Sequence, residues 1–213
     1  MHFAHRAPSK SEVISGYNIS NRIALSVEEN GWNRDGSKMN RTVVLVVYDP
    51  FWPEKFEKEA EKLGVVFGSN LVRMHHIGST SIPGMMAKPI IDMLFVVQDI
   101  TQVDRIDRAM SELGYEAMGE FGIPGRRYFR KLDGEVHLFH LHVFALGDPE
   151  VDRHVNFRDY LRAHPGDALA YQELKLELAE MFPQDPGSYT DGKTAFIQAV
   201  DARAKEWHAQ RED

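Results

Sequence analysis

The sequence predicts an α/β protein of the α+β kind, with helices packed on a mixed β-sheet and a helical layer towards the C-terminal end. Three observations support this fold class. Residues 89–97 are nearly all apolar, which is typical of a central strand covered on both faces. Strand-like and helix-like patterns alternate before residue 148. After that point only the helical spacing of apolar residues is found, which predicts a layer of helices.

The strand predictions rest on short apolar or alternating runs that are rich in β-branched residues. Six such runs lie at 43–48, 71–77, 89–97, 115–118, 127–132 and 136–144. The pair Asp133-Gly134, between the last two runs, is a hairpin-turn signal. Helical spacing at 53–63 and at 103–113 places one helix after the first run and another after the third. The predicted order is strand, helix, two strands, helix, three strands and then helices.

The length of 213 residues suffices for one domain with a full core and is short for two. Residues 1–40 contain many Ser, Asn, Gly and charged residues and no regular apolar period. They are predicted to form a flexible or atypical N-terminal extension. The folded domain is predicted at 41–213.

Composition excludes several classes of function. The chain has no cysteine, which rules out disulfides, thiolate metal sites and a cysteine nucleophile. A net charge of −7 argues against broad binding of nucleic acid, although a local basic pocket remains compatible with it. The sequence lacks both a run of eighteen apolar residues and the pattern of a secretory signal, so a cytoplasmic protein without a membrane association is expected. Nothing in the sequence indicates an oligomeric state.

The segment 75–84 combines a strand end with a cluster of small polar residues. Gly78 lets the main chain approach an anion closely, and Ser79, Thr80 and Ser81 follow it with three hydroxyls. If a helix begins there, its free N–H groups and its dipole favour a bound phosphate. The alternative is a turn with an ordinary helix cap, for which Ser and Thr are equally suited.

Charged residues follow this segment. Lys88 is predicted to add positive charge to the phosphate site, and Asp92 is predicted to project from the next strand as a metal-binding or basic carboxylate. These two residues are the candidate catalytic groups. Further on, His140 and His142 are two residues apart on one strand and share a face, which makes them a half-site for Zn, Mn, Fe or Ni.

Asp92 completes that histidine site if the two strands are neighbours. The alternative is that the histidines form hydrogen bonds in a polar cleft or pack beside the core. His137 is predicted to face the other side and to be structural.

Two basic residues complete the candidate site. Arg127 is predicted to clamp phosphate with its planar guanidinium, and Lys193 to reach the same cleft from the last helix. The alternatives are a charged exposed strand and a solvated surface lysine. Arg158, Asp159 and Arg162 are assigned to ion pairs on a helix face.

Several motifs together resemble the GrpB family. They are YDP at 48–50, HIGSTSIPG at 76–84, AKPIID at 87–92, GRRYF at 125–129, HLH at 140–142 and FRDYLR at 157–162. The resemblance covers about residues 42 to 208 and implies a nucleotidyltransferase-like fold. It also implies a link with coenzyme A or nucleotide metabolism, because such a domain is fused to a dephospho-coenzyme A kinase in some members of the family.

Enzymes of that wider superfamily carry Gly-Ser, then two acidic residues that alternate on one strand, and a third on a later strand. Alternation is needed because residues i and i+2 face the same side and can hold the same metal ions. Gly78-Ser79 and Asp92 fit this pattern, whereas Leu94 stands where the second carboxylate belongs.

Three functions are therefore open. The first is binding of a nucleotide or another phosphorylated small molecule, followed by nucleotidyl or phosphoryl transfer with Mg or Mn. The second is a non-catalytic binding module that has lost its metal pair. The third is a hydrolase whose metal, for example Zn, is held by His140, His142 and Asp92.

Overall fold

The computed structural model describes residues 42–212, so the extension predicted at 1–40 lies outside the described residues. Six α-helices and five β-strands are formed within this range. The helices are α1 (Trp52–Phe67), α2 (Asp107–Glu112), α3 (Pro149–Ala163), α4 (Pro165–Met181), α5 (Pro186–Asp191) and α6 (Thr194–Glu212). The strands are β1 (Leu71–Ile77), β2 (Ile91–Val97), β3 (Tyr115–Ala117), β4 (Arg127–Asp133) and β5 (Val136–Ala145). No helix in the described range is long and apolar enough to cross a membrane.

The five strands form one sheet in the order β1-β2-β5-β4-β3. β2 and β5 run parallel, and the other three pairs are antiparallel. The predicted mixed sheet is therefore confirmed, and so is the hairpin between β4 and β5, where Gly134 has a φ of 56°. The central place of β2 agrees with its apolar sequence, because both of its faces are covered.

The two faces of β2 belong to different cores. Met93 and Phe95 point into the larger core, which α1 and α2 cover with residues such as Leu63 and Met110. Leu94 and Val96 point to the opposite face, where Val151 of α3 packs on them. Asp92 lies on this second face, near the start of β2. It is outside the apolar cluster to which Val151 of α3 belongs.

The strand predicted at 43–48 is wrong. Within this segment only Val46 forms a β-bridge, with Ala87, and Val43 donates its N–H to the carbonyl of Pro183. The apolar side chain of Val43 packs against Leu178 and Tyr189 of the C-terminal helices. Tertiary packing, and not pairing in the sheet, therefore accounts for this run.

The C-terminal helical layer is confirmed, with the short helix α5 as an element that the sequence did not predict. α3, α4 and α6 enclose a core of their own that contains Tyr160, Tyr171 and Val200. Ile82 and Met85, from the loop between β1 and β2, insert into the same core. The loop that carries the predicted phosphate site is thus held between the sheet and the helical layer.

Candidate functional site

The centre of the candidate site is a carboxylate on β2 and an imidazole on β5. The parallel register aligns Asp92 with His140, and the two side chains are joined by a 3.1 Å contact between Nδ1 of His140 and Oδ1 of Asp92. Burial raises the pKa of Asp92, but the hydrogen bond from His140 and the positive charges nearby outweigh it and hold this pKa below its ordinary value. The carboxylate is 29% exposed, so a ligand can reach it.

Gly78 lies against this carboxylate. Its φ of 70° is one that side chains with a Cβ rarely adopt, and an added Cβ would overlap Oδ2 of Asp92. The predicted close approach of the main chain at Gly78 therefore exists, but it is made to a carboxylate of the protein. A helix does not follow: Ser79–Ser81 is a single 3₁₀ turn of three residues, too short for a helix dipole to bind an anion.

The three hydroxyls of this turn have different surroundings. The Thr80 hydroxyl lies 3.0 Å from Nε2 of His76 and is buried, and the Ser81 hydroxyl donates to the carbonyl of Gly78 at 2.6 Å. Burial lowers the pKa of His76 to about 4, so this imidazole is a neutral structural partner at pH 7. Of these three residues, only Ser79 remains partly exposed.

A buried lysine that the sequence reasoning missed contacts Ser79. Nζ of Lys175, on α4, donates to the Ser79 hydroxyl at 3.1 Å and to the carbonyl of Met86 at 2.5 Å. The residue is 2% exposed. Burial, followed by repulsion from Lys193, lowers the pKa of Lys175 to about 7. One signal was present: Lys175 interrupts the apolar face formed by Tyr171 and Leu178.

The two lysines predicted at the site lie together around Tyr189 of α5. Nζ of Lys88 is 5.2 Å from the centre of the Tyr189 ring, and Nζ of Lys193 is 4.5 Å from it. Burial and repulsion from Lys88 lower the pKa of Lys193 to about 8, against a smaller opposing effect of Asp92. Among the side chains of residues 42–211, no carboxylate lies within 4.0 Å of the Lys193 ammonium.

The basic residues assigned to a helix face have a second role. Arg158 and Arg162 pair with Asp159 as expected, but both also reach into the loop. Arg158 donates to the carbonyl of His76 at 3.0 Å, and Arg162 donates twice to the carbonyl of Ser81, at 3.0 and 2.7 Å. These two side chains of α3 therefore hold the ends of the Gly78 turn in place.

Arg127 is not brought to this cleft. It pairs on β4 with Val143, whose side chain lies in the larger core, and its guanidinium binds both oxygens of Asp104 at 2.5 and 2.9 Å. Its neighbour Arg126 faces the site strand instead. The Nη1 atom of Arg126 lies 3.1 Å from Nδ1 of His142. Alternation along the strand explains why only one of the two can point to each face.

The histidines form a chain of contacts. Nδ1 of His137 is 2.8 Å from Nε2 of His140, so the prediction that His137 faces the opposite side is wrong. The register shifts between Lys131 and Leu132, and this irregularity turns His137 back to the face of His140. Burial lowers the pKa of His142 to about 3, although the charge of Asp92 acts in the opposite direction.

These contacts bear on the metal prediction. Both ring nitrogens of His140 already have partners, His137 and Asp92. Within the part of the chain that the structure describes, no group of three or more His, Cys, Asp or Glu side chains is arranged to hold a metal ion. Asp92 nevertheless keeps an oxygen beside Gly78, and Mg²⁺ commonly uses one or two protein carboxylates together with phosphate oxygens of its substrate.

Known proteins resemble this chain over most of the described range. YqkA of Bacillus subtilis is 46% identical over 171 residues, which are 80% of this chain and 50% of YqkA. The chain thus spans about half the length of that relative. The crystal structure of the conserved protein GrpB from Enterococcus faecalis superposes with a TM-score of 0.73 at 41% identity, covering 77% of this chain and 99% of that one.

A more distant structure is the Cid1 poly(U) polymerase, with a TM-score of 0.39 and 10% identity over 62% of this chain. A likeness of this size carries no argument about function. The family model described as GrpB protein matches residues 42–203, which is most of the chain. This match agrees with the motifs around Gly78 and Asp92, and the chain belongs to the GrpB family.

Proposed function

We propose that this protein binds a nucleotide or another phosphorylated small molecule in the cleft lined by Ser79, Lys88, Asp92 and Lys193. The observation that carries the proposal is a group of neighbouring lysines: Lys175 donates to the partly exposed Ser79 hydroxyl, while Lys88 and Lys193 both lie against the ring of Tyr189. Mutual repulsion contributes to the lowered pKa of Lys175 and to that of Lys193.

The physical reason lies in the balance of charge. Lys88 and Lys193 both interact electrostatically with Asp92, and Lys193 is also repelled by Lys88 and repels Lys175. A phosphate group would relieve this repulsion and would accept hydrogen bonds from the ammonium groups, which are stronger than bonds between neutral groups. Binding should therefore be accompanied by proton uptake near pH 8, as the pKa of Lys193 rises towards its ordinary value.

Metal-dependent nucleotidyl or phosphoryl transfer is the second candidate, and the pairing of Asp92 with His140 favours it. Asp92 would hold Mg or Mn together with oxygens of the ligand, and His140 would orient the carboxylate. Leu94 is evidence against ordinary two-metal transfer. It is fully buried at the position where a second carboxylate would have to face the metal. Ligand binding is therefore the first part of the proposal, and transfer is the second.

A hydrolase with a metal on His140, His142 and Asp92 needs more rearrangement. His140 would have to release a present partner, and a cation would have to bind beside the Arg126 guanidinium, which is 3.1 Å from His142. Metal content measured on protein purified without added metal tests this alternative. A stoichiometric transition metal would favour the hydrolase over the binding module.

The binding proposal is tested by calorimetry with ATP, GTP, CTP and UTP in the presence of Mg or Mn. Lys193→Met is the informative variant, and Lys205→Met, an exposed position elsewhere on α6, is its control. Loss of a charge-assisted hydrogen bond should weaken binding roughly 10- to 100-fold in Lys193→Met and leave Lys205→Met unchanged. No saturable binding of any of these ligands would refute the proposal.

The role of metal is tested on the same protein. A binding module should retain its ligand in EDTA and in Asp92→Asn, whereas a metal-dependent transferase should lose binding or turnover in both. Asn has nearly the shape of Asp, so the variant removes charge and leaves the packing against Gly78 in place.

A further inference from the structure

The loop at 119–126 presents an exposed aromatic ring beside the site. Phe121 is 58% exposed, and its ring is stacked on that of Tyr128 with centres 5.0 Å apart and an angle of 14° between the planes. Tyr128 is buried and contacts the rings of both His140 and His142 edge to face. A continuous line of rings therefore leads from the Asp92–His140 pair to Phe121.

Phe121 is held in an unfavourable conformation. Its φ of 44° is the single positive value among the non-glycine residues of 42–212. A bulky side chain in this region costs free energy and persists only where the surroundings impose it, which is common at ligand-binding positions. The surrounding structure therefore imposes the conformation of Phe121 within this loop.

A buried arginine imposes this conformation. Arg126 is 5% exposed, and its guanidinium donates to the carbonyls of Glu120 and Phe121 at 3.1 and 2.5 Å. Its remaining nitrogen reaches His142 on the site strand. Within the described part of the chain, no carboxylate lies within 4.0 Å of this guanidinium. Burying the positive charge of Arg126 costs free energy, and its hydrogen bonds fix the loop to β5.

We infer that Phe121, supported by Tyr128, forms a stacking platform for the aromatic base of the ligand whose phosphates occupy the lysine cluster. The inference rests on the proposed function and adds a second subsite to it. Tyr128 lies two strands from Asp92 on the same face, roughly 10 Å across the sheet at the usual strand spacing. Stacking accepts any base, because every base has a π-face, so the platform selects nucleotides over simple phosphates without selecting among bases.

The test compares ATP with inorganic tripolyphosphate, both with Mg, by calorimetry. Phe121→Leu keeps an apolar side chain and removes the ring, and Phe121→Trp keeps a ring. The control is Phe51→Leu, because Phe51 is 62% exposed and lies outside the site. Phe121→Leu should weaken ATP binding roughly 5- to 100-fold and leave tripolyphosphate binding unchanged, while Phe121→Trp should stay within about threefold of the original protein.

Each outcome decides between the two proposals. If the unaltered protein binds tripolyphosphate but binds ATP no more tightly, the platform is refuted and the phosphate site stands. Equal losses of ATP affinity in Phe121→Leu and Phe51→Leu, or parallel losses for ATP and tripolyphosphate in Phe121→Leu, also refute the platform. If the unaltered protein binds neither compound, the phosphate site itself is refuted and the platform with it.

Discussion

Substitution of Gly78 by alanine tests the close contact on which the site depends. The new Cβ would overlap Oδ2 of Asp92 and would lie 3.0 Å from its Cβ and its Cγ. The carboxylate would have to move away from His140, or the turn would have to move away from β2. Gly84 offers a matched control, because its φ of 80° imposes the same kind of strain while an added Cβ meets nothing within 4 Å.

The expected magnitudes follow from these two situations. A positive φ costs a residue with a Cβ about 1–2 kcal/mol, and reduced freedom of the unfolded chain returns about 0.4–1 kcal/mol of this at both positions. Gly78→Ala also disrupts the charge-assisted bond between Asp92 and His140, for which about 1.5–3 kcal/mol is a reasonable estimate. Because the other contributions are the same at both positions, Gly78→Ala should be less stable than Gly84→Ala by roughly 1.5–3 kcal/mol.

Thermal unfolding followed by circular dichroism measures this difference. For a protein of this size, it corresponds to a Tm that is roughly 3–12 °C lower for Gly78→Ala than for Gly84→Ala. Equal Tm values for the two variants would show that the contact with Asp92 is not limiting and would contradict the geometry of the site.

Two further predictions concern buried charges. Burial holds the pKa of Lys175 at about 7, so between pH 7 and 9 this side chain carries a proton in the unfolded chain that it lacks in the folded one. The free energy of unfolding should therefore rise with pH over this range, by about 2 kcal/mol more in the original protein than in Lys175→Met. Parallel pH profiles in urea unfolding would contradict this. Glu59→Gln should destabilise the protein by roughly 3 kcal/mol, since it leaves Lys131 without its buried carboxylate, 2.6 Å away. Glu54→Gln, in the exposed pair with Lys58, is the control and should leave the urea midpoint unchanged.

Local patterns predicted much of the fold. The runs that became β1, β2, β4 and β5 have the length and alternation of strands, and their bounds differ from the predicted ones by no more than two residues. The helical layer followed from apolar spacing after residue 148. The run at 43–48 has the same local signature but forms only a bridge, because its apolar side chains pack on the C-terminal helices.

The sequence by itself determined the family, the mixed sheet and the identity of Ser79 and Asp92 as candidate site residues, because these depend on motifs and on periodicity within a few turns or strands. The tertiary structure decided which charges meet there. Lys175 reaches Ser79 across 96 positions of the chain, while Arg127 is turned to the far face by the alternation of its strand. An irregular register likewise brings His137 to His140. Such contacts depend on strand order and on helix packing, which are set by burial over the whole chain, so the residues next to each partner do not specify which side chain it will meet.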